Sequence, residues 1–199
     1  QRIMFKIGIT GSIGTGKTTV ANLFVLFNIP VFDADREIKE LLNNEKIKKK
    51  LKSTWPHIIE NNEINKGKLK LIIFSNKKEK EKLEKLLYPF LEVEKKRFVD
   101  LNINKKILVF DIPLIYETKS EKQYDLILLT HCDKKLQRKR VLERDKITNS
   151  LFESIVKTQL SFHEKNKHKP KIINTNKYKF FIFINIIFLL LRILIGLKR

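Results

Sequence analysis

Short apolar runs alternate with longer amphipathic segments along the 199 residues of the chain. The runs are rich in Ile, Val, Leu and Phe, which is typical of strands that are buried in a parallel sheet. We predict five such strands, at residues 3–9, 29–32, 107–110, 125–130 and 172–173. Because helical patterns separate them, we expect an α/β fold with helices on both faces of the sheet.

Apolar residues at helical spacing predict the intervening helices. Their expected bounds are 36–51, 69–74, 77–98, 136–144 and 149–162, with a polar loop at 61–67. Pro89 is expected to kink or end the third helix, and Asn149 or Ser150 to cap the last. The segment between the second and third strands spans roughly 70 residues, too long for a simple crossover, so we expect a subdomain that covers a substrate.

The C-terminal segment 180–197 is apolar over almost the length that a membrane-spanning helix needs. Asn185 and Arg192 interrupt it, and Arg near the middle of a spanning helix costs about 3 kcal/mol. We favour a terminal helix packed on the sheet over contact with another subunit or a membrane surface, and over a true span. The protein is expected to be a monomer or a small homo-oligomer.

The net charge of +20 raises the question of a nucleic-acid partner. No recognition motif accompanies the charge, and Lys runs such as 77–85 lie on predicted amphipathic helices, where they form a solvated face. We therefore expect no specific nucleic-acid partner, although a basic surface attracts nucleotides. A single cysteine, Cys132, and the lack of a visible signal peptide indicate a cytoplasmic protein without an internal disulfide.

The segment Gly11–Thr18, GSIGTGKT, matches the phosphate-binding loop pattern G-x-x-x-x-G-K-[ST]. A predicted strand precedes it and a predicted helix follows it, as the motif requires. Backbone N–H groups would surround the phosphates of a nucleotide, Lys17 would reach the β- and γ-phosphates, and Thr18 would ligate Mg²⁺. The predicted nucleotide-binding residues are Ser12, Ile13, Gly14, Thr15, Gly16, Lys17, Thr18 and Thr19.

Carboxylates directly follow two of the predicted strands. Asp33 and Asp35 follow the second strand and Asp111 the third, at the edge where ligands bind in open α/β sheets. One acid of the pair can orient Mg²⁺ and the other can accept the proton of an attacking hydroxyl; the alternative is a helix cap with a first-turn acid. Asp111 is expected to help hold Mg²⁺, the alternative being a turn residue before Pro113.

Arg140 and Arg144 lie four residues apart, and therefore on one face of a predicted helix, in a chain that otherwise prefers Lys. A planar guanidinium binds two phosphate oxygens at once, which favours a lid that neutralises the transferring phosphoryl group. A solvated basic helix is the alternative. The histidines and Cys132 show no metal-ligand spacing, so we expect no zinc site.

The order of these motifs resembles that of dephospho-CoA kinases over residues 3–176. The matching segments are GSIGTGKT, DAD at 33–35, LEKLLYPFL at 83–91, DIPLIYET at 111–118, QRKRVLERD at 137–145 and Gln159. The resemblance implies Mg²⁺-assisted transfer of phosphate from ATP to the ribose 3′-hydroxyl of dephospho-CoA, giving coenzyme A. It also implies one P-loop NTPase domain over residues 1–199, a three-layer α/β/α fold with a five-stranded parallel sheet. Its parts would be a core at 3–35, 105–136 and 146–199, a helical CoA-binding insert at 36–100 and a lid at 137–150.

The resemblance also assigns roles to residues. Lys17 and Arg140 would be catalytic, Asp35 would be the base, and Arg144 would contact the nucleotide. The residues assigned to Mg²⁺ are Thr18, Asp33 and Asp111. The residues assigned to the acceptor are Asp33, Tyr88, Pro113, Leu114 and Glu117.

The chain departs from the family pattern in four places. Tyr88 replaces a His, Lys66 replaces an Arg, and Lys169-Pro170 replaces an Ala-Asp pair before the last strand. Lys177 replaces a Gly in the adenine segment, where it puts the local turn in doubt. Two other functions stay open: a related nucleoside or nucleotide kinase, and a degenerate basic module that binds without efficient catalysis.

Overall fold

The computed structural model describes residues 4–60 and 63–197. Its strands are β1 Phe5–Thr10, β2 Val31–Asp33, β3 Ile59–Glu60, β4 Glu63–Ile64, β5 Ile107–Asp111, β6 Leu126–His131 and β7 Lys171–Asn174. Its α-helices are α1 Lys17–Val25, α2 Ala34–Leu41, α3 Glu45–Thr54, α4 Lys66–Ser75, α5 Lys77–Leu101, α6 Lys134–Asp145, α7 Asn149–Lys157, α8 Phe162–Asn166 and α9 Lys179–Gly196. Short 3₁₀ turns occur at Pro56–Ile58 and Glu121–Gln123.

The chain divides into two compact units. One consists of the residues up to Phe32 together with those from Asn102 onward, and the other is Asp33–Leu101. The first contains most of the sheet and the phosphate-binding loop. The second contains helices α2–α5 and the short antiparallel pair β3–β4.

A five-stranded sheet, ordered β2-β5-β1-β6-β7, organises the first unit. β1 runs parallel to β5 and β6 on either side of it, and β6 runs parallel to β7. The prediction of a parallel five-stranded sheet with helices is therefore confirmed. Since β1 is the central strand, the loop that follows it has strand ends on both sides.

The core of the first unit explains why its strands have nearly continuous apolar sequences. All five residues of β5 are buried, and Ile7, Ile9 and Leu128 are fully shielded from solvent. A strand covered on both faces must be apolar at successive positions, rather than at alternate ones. The pattern that predicted buried strands therefore reflects helices on both faces of the sheet.

The apolar C-terminal segment forms α9, and one face of this helix belongs to the core of the first unit. The buried face consists of Ile182, Ile186, Leu189, Leu190 and Ile193. Among the described helices α9 is also the one that is long and apolar enough to cross a membrane, with a mean hydropathy of 2.3. Its other face is exposed, at Phe181, Phe188 and Leu191 among others.

Two predicted helices are each divided in the structure, because a side chain caps a new helix inside the periodic pattern. The predicted helix 36–51 is divided between α2 and α3, where Asn44 accepts a hydrogen bond from the backbone of Lys46. The predicted helix 149–162 is divided between α7 and α8, where Ser161 and Glu164 form a capping box.

Two further predictions about local structure, the cap of the predicted helix 149–162 and the loop at 61–67, are corrected. Thr148, rather than Asn149 or Ser150, caps α7, because its hydroxyl accepts a bond from Leu151. The expected loop 61–67 contains strand β4 and the first residues of α4, which Asn65 caps; residues 61–62 lie outside the described part.

Pro89 does not end the third predicted helix, because α5 continues through it from Lys77 to Leu101. Proline removes one backbone hydrogen bond from a helix interior. Buried Leu83, Leu87 and Leu91 lie on one face of α5, on both sides of the proline, and anchor the helix in the second unit.

The packing of α9 predicts different effects for two isoleucines of this helix. Ile186 is fully buried and Ile195 is exposed, so we expect Ile186→Ala to lower the free energy of unfolding by about 2–5 kcal/mol. Ile195→Ala should change it by less than about 1 kcal/mol. Urea denaturation followed by circular dichroism measures both values. Equal, small effects would contradict the packing of α9 on the sheet.

Candidate active site

The phosphate-binding loop joins β1 to α1 and has a backbone that other residues could not adopt without strain. Gly14 and Gly16 have φ angles of 75° and 89°, in the left-handed region. A Cβ atom at Gly14 would also lie 2.5 Å from Cγ2 of Val141 on α6. Glycine is therefore required at this position, both by the turn and by the close approach of α6.

Hydroxyl groups hold the loop from inside. The Thr15 and Thr130 hydroxyls share a hydrogen bond of 2.8 Å, in which either can donate. Thr15 also lies within hydrogen-bond distance of the Ser12 carbonyl and Thr130 of the Thr10 carbonyl, and the hydroxyl that accepts in the shared bond donates to its carbonyl. Thr10, Thr15 and Thr130 are all buried. These bonds join the loop to the end of β6, the neighbour of β1 in the sheet.

Lys17 begins α1 and folds back over the loop. Its ammonium group is largely buried and donates to the carbonyls of Gly11, at 3.0 Å, and Ser12, at 3.2 Å. A bound phosphate would lie among the backbone N–H groups of the loop, so the Lys17 ammonium is placed where it can neutralise the negative charge of that phosphate.

Thr18 and Asp111 provide two oxygen ligands side by side. Asp111 is the last residue of β5, is buried, and accepts a hydrogen bond of 3.3 Å from the Thr18 hydroxyl. Mg²⁺ prefers a few protein oxygens and completes its octahedron with water and phosphate. The pair fits that ion. Among the described residues, His, Cys, Asp and Glu side chains form no group of three or more that could hold a metal ion.

Two glutamines fix the outer side of the loop. Gln159 accepts bonds from the Ser12 hydroxyl, at 2.7 Å, and from the Ile13 backbone, at 3.0 Å. Gln137 on α6 donates to the Ile13 carbonyl at 2.7 Å. The sequence placed both residues within motifs but assigned neither a role. No spacing signal could have found them, because they meet the loop only in the folded chain.

Thr175, in the turn after β7, connects the loop to Arg140. Its hydroxyl donates to the carbonyl of Thr15 at 2.8 Å and accepts from an Arg140 Nη atom at 3.0 Å. A second Nη atom of Arg140 donates to the Thr175 carbonyl at 2.9 Å. Lys177 does not have a positive φ angle: in the described part, the non-glycine residues that have one are Asn28, Lys119, Lys146 and Lys169. The turn therefore does not require glycine at position 177.

Cys132, at the end of β6, is buried behind the loop, and its thiol contacts the Gly14 carbonyl at 3.8 Å. Burial raises the pKa of this thiol above its ordinary value. The group therefore stays protonated at neutral pH and donates to the loop.

Arg140 and Arg144 differ in their surroundings, although both lie on α6. Arg140 is half-buried through its contact with Thr175, whereas the guanidinium of Arg144 is exposed and bonds to Asp145. Arg138, on the same helix, donates to Asn149 on α7. Of the two predicted lid arginines, Arg140 is thus the one that the structure connects to the phosphate-binding loop, through Thr175.

Asp33 and Asp35 lie at the start of the second unit. Asp33 is the last residue of β2 and caps α2 by accepting a bond from the backbone of Arg36 at 3.0 Å. Asp35 is exposed in the first turn of the same helix. The capping geometry named as the alternative is therefore present, and it leaves the Asp35 carboxylate accessible to solvent.

The predicted acceptor segment after β5 is anchored by a buried lysine. Lys165 of α8 is 1% exposed and donates to the Pro113 carbonyl and to the Glu117 carboxylate. Glu117 also accepts from the backbone of Leu160. Pro113 and Leu114 are partly exposed, so this segment is held rigidly while part of it faces solvent.

Tyr88, the other predicted acceptor residue, lies on α5 in the second unit and is half-buried. Lys66, which replaces the expected arginine, is exposed at the first position of α4. Both positions belong to the helical unit that Asp33–Leu101 forms.

Comparison with known structures agrees with this fold. TT1252 from Thermus thermophilus superposes with a TM-score of 0.84 at 22% identity, over 96% of this chain and 97% of that one. A dephospho-CoA kinase from Campylobacter jejuni gives a TM-score of 0.61 at 20% identity, over 94% and 96%. A shikimate kinase from Acinetobacter baumannii gives 0.54 at 16% identity, over 96% and 95%. These similarities establish the fold, a parallel sheet with helices, which this chain shares with the three proteins.

Sequence comparison identifies the family. The family model for dephospho-CoA kinase matches residues 5–179. The dephospho-CoA kinase of Bartonella quintana is 34% identical over 86% of this chain and 89% of its own length, and that of Fusobacterium nucleatum is 34% identical over 85% and 89%. With its phosphate-binding loop intact, the chain belongs to the dephospho-CoA kinase family, whose members use ATP as phosphate donor.

Proposed function

We propose that this chain transfers the γ-phosphoryl group of ATP to the ribose 3′-hydroxyl of dephospho-CoA, giving coenzyme A and ADP in the last step of coenzyme A synthesis. The observation that carries the proposal is the complete phosphate-binding loop, with Lys17 held over it by two carbonyls. Family membership supports the identity of the acceptor. A single buried, free cysteine is consistent with work in the reducing cytoplasm.

The donor half of the site consists of the loop and its cations. Backbone N–H groups from Gly14 to Thr19 receive the phosphate oxygens at the start of α1. The carbonyls of Gly11 and Ser12 hold the Lys17 ammonium over the loop, so its charge is already in place before ATP binds. When ATP binds, Lys17 exchanges these bonds for bonds to the phosphates.

Thr18 and Asp111 would hold Mg²⁺, and Asp33 is the third residue that we assign to the ion. The ion would supply positive charge that neutralises the phosphate oxygens. The protein's own contribution is the paired hydroxyl and carboxylate, 3.3 Å apart, on two rigid elements.

Asp35 would serve as the base. It accepts the proton of the 3′-hydroxyl while the oxygen forms a bond to the γ-phosphorus, and the bond from that phosphorus to the bridging oxygen of ADP breaks. Its exposure in the first turn of α2 supports this role, since a base must reach the acceptor.

Arg140 would act from the lid, residues 137–150, and Arg144 would contact the nucleotide from the same face. We propose that Arg140 exchanges one or both of its hydrogen bonds to Thr175 for hydrogen bonds to the phosphoryl group that moves from ATP to the acceptor. The helical insert, residues 36–100, would bind the acceptor with Tyr88, while Pro113 and Leu114 contact it and Glu117 keeps their segment in place.

A direct assay tests the proposed reaction. Purified protein should release ADP in a saturable manner with dephospho-CoA, and with neither nucleosides nor buffer alone. Lys17→Ala should lower turnover by on the order of 10²-fold or more, because it removes the charge that neutralises the phosphates. Turnover with a nucleoside instead would indicate a related kinase. No turnover with any acceptor would indicate a binding module.

The assignment of Asp35 is tested by Asp35→Asn, which keeps the size of the side chain but removes its basicity. We expect kcat to fall by about 10²–10⁴-fold while the Kd for ATP stays within a factor of about three. Glu153→Gln, which changes an exposed acid of α7 outside the insert and the lid, is the control and should leave kcat unchanged. Activity of Asp35→Asn within a few-fold of the parent would show that another group is the base.

A further inference from the structure

The exposed face of α9 is largely apolar. Phe181, Phe188 and Ile195 recur every seven residues, and Leu191 lies beside them with the partly exposed Ile184. The exposed polar residues Asn185 and Arg192 lie along one side of this face. Phe188 is 62% exposed and Ile195 59%. A soluble domain normally covers such a face with charged side chains, so this face is expected to have a partner.

The end of α1 extends this surface. The rings of Phe27 and Phe183 are stacked with centroids 5.5 Å apart, and Leu26, next to Phe27, is 70% exposed. An apolar pocket of about 360 Å³ lies between the two elements, lined on the α9 side by Leu190 and Leu194 among others. We call the outer face of α9 with the end of α1 and this pocket the α9 surface.

Cations border the α9 surface. Lys105 and Lys106 line the pocket, and Arg192 and Lys179 are exposed on α9 itself. No Asp or Glu follows Glu164 in the chain. A wide apolar band bordered by Lys and Arg, with Tyr and Phe at its end, is the arrangement of helices that lie in the interface of an anionic membrane.

Charge distinguishes this partner from two others. A second copy of the chain would bring another net charge of +20 against this one, at the cost of electrostatic repulsion. A nucleic acid would pair with the cations but would leave the phenyl rings in water. A bilayer with anionic headgroups satisfies both the apolar band and its basic border.

We propose that the α9 surface docks on an anionic lipid bilayer, with α9 lying in the plane of the membrane. The helix does not cross the bilayer, because Ile182, Ile186 and Ile193 of its opposite face belong to the core. Phe188 and Leu191 enter the headgroup–acyl boundary, and the pocket beside Leu194 receives part of an acyl chain. The proposal goes beyond the kinase reaction and does not depend on it.

Vesicle flotation tests the proposal with the full chain. The protein should float with phosphatidylcholine vesicles that contain 30% phosphatidylglycerol, and partition at least about tenfold less onto phosphatidylcholine alone. Raising the salt to about 0.5 M should weaken the partition several-fold, because the electrostatic part is screened. Phe188→Ser and Leu191→Ser should each lower it about tenfold. Val93→Ser is the matched control, since Val93 is 63% exposed on α5, and should lower it less than twofold.

A fluorescent label shows which residues enter the membrane. Cys132 is 3% exposed, so a thiol-reactive, environment-sensitive dye will label Leu191→Cys or Val93→Cys in preference to it. Anionic vesicles should shift the emission of the first to the blue and leave that of the second unchanged.

Four results would overturn the proposal. One is the absence of flotation, and another is equal flotation of the parent, Phe188→Ser and Leu191→Ser, which would show attraction by charge alone. The third is a dimer in sedimentation velocity that Phe188→Ser converts to monomer, which would identify a second copy as the partner. Retention of the protein in vesicle membranes after alkaline carbonate washing would also contradict it, by indicating a span.

Discussion

The phosphate-binding loop can serve a nucleotide only if most of its backbone N–H groups point at phosphate oxygens rather than at carbonyls of the loop itself. Side chains from outside the loop must therefore hold its shape. Thr130, Gln159 and Thr175 do so through the Thr15 hydroxyl, the Ile13 N–H and the Thr15 carbonyl respectively. A loop fixed in this way meets the phosphates without reorganising, which is the condition for strong electrostatic stabilisation during phosphoryl transfer.

The sheet order makes this support possible. Because β1 is central, with β6 and then β7 on one side, the ends of β6 and β7 converge on the loop from positions more than a hundred residues later in the chain. Thr175 joins two tasks, since it holds the loop and also positions Arg140. The lid arginine is therefore coupled to the phosphate site before any ligand is present.

The sequence predicted what depends on local pattern. Buried strands and the loop motif are readable because their residues are neighbours in the chain, and Lys17 and Thr18 belong to that motif. Helix breaks at Asn44 and Ser161 were missed because a cap competes with periodicity that continues through it. Gln159 and Thr175 received no role because their function depends on tertiary contacts. The covered and exposed faces of α9 could not be told apart, since the helix is apolar on nearly all sides.

Side chains outside the loop preorganise it, a claim that substitution of Thr175 tests. Thr175→Val keeps the shape but leaves the Thr15 carbonyl and an Arg140 Nη group without this hydroxyl, at a cost of about 1–3 kcal/mol. Calorimetry should show ATP binding about 5- to 150-fold weaker in Thr175→Val, and within about threefold of the parent in Thr175→Ser, which keeps the hydroxyl. Equal ATP affinities in Thr175→Val and the parent would contradict the claim.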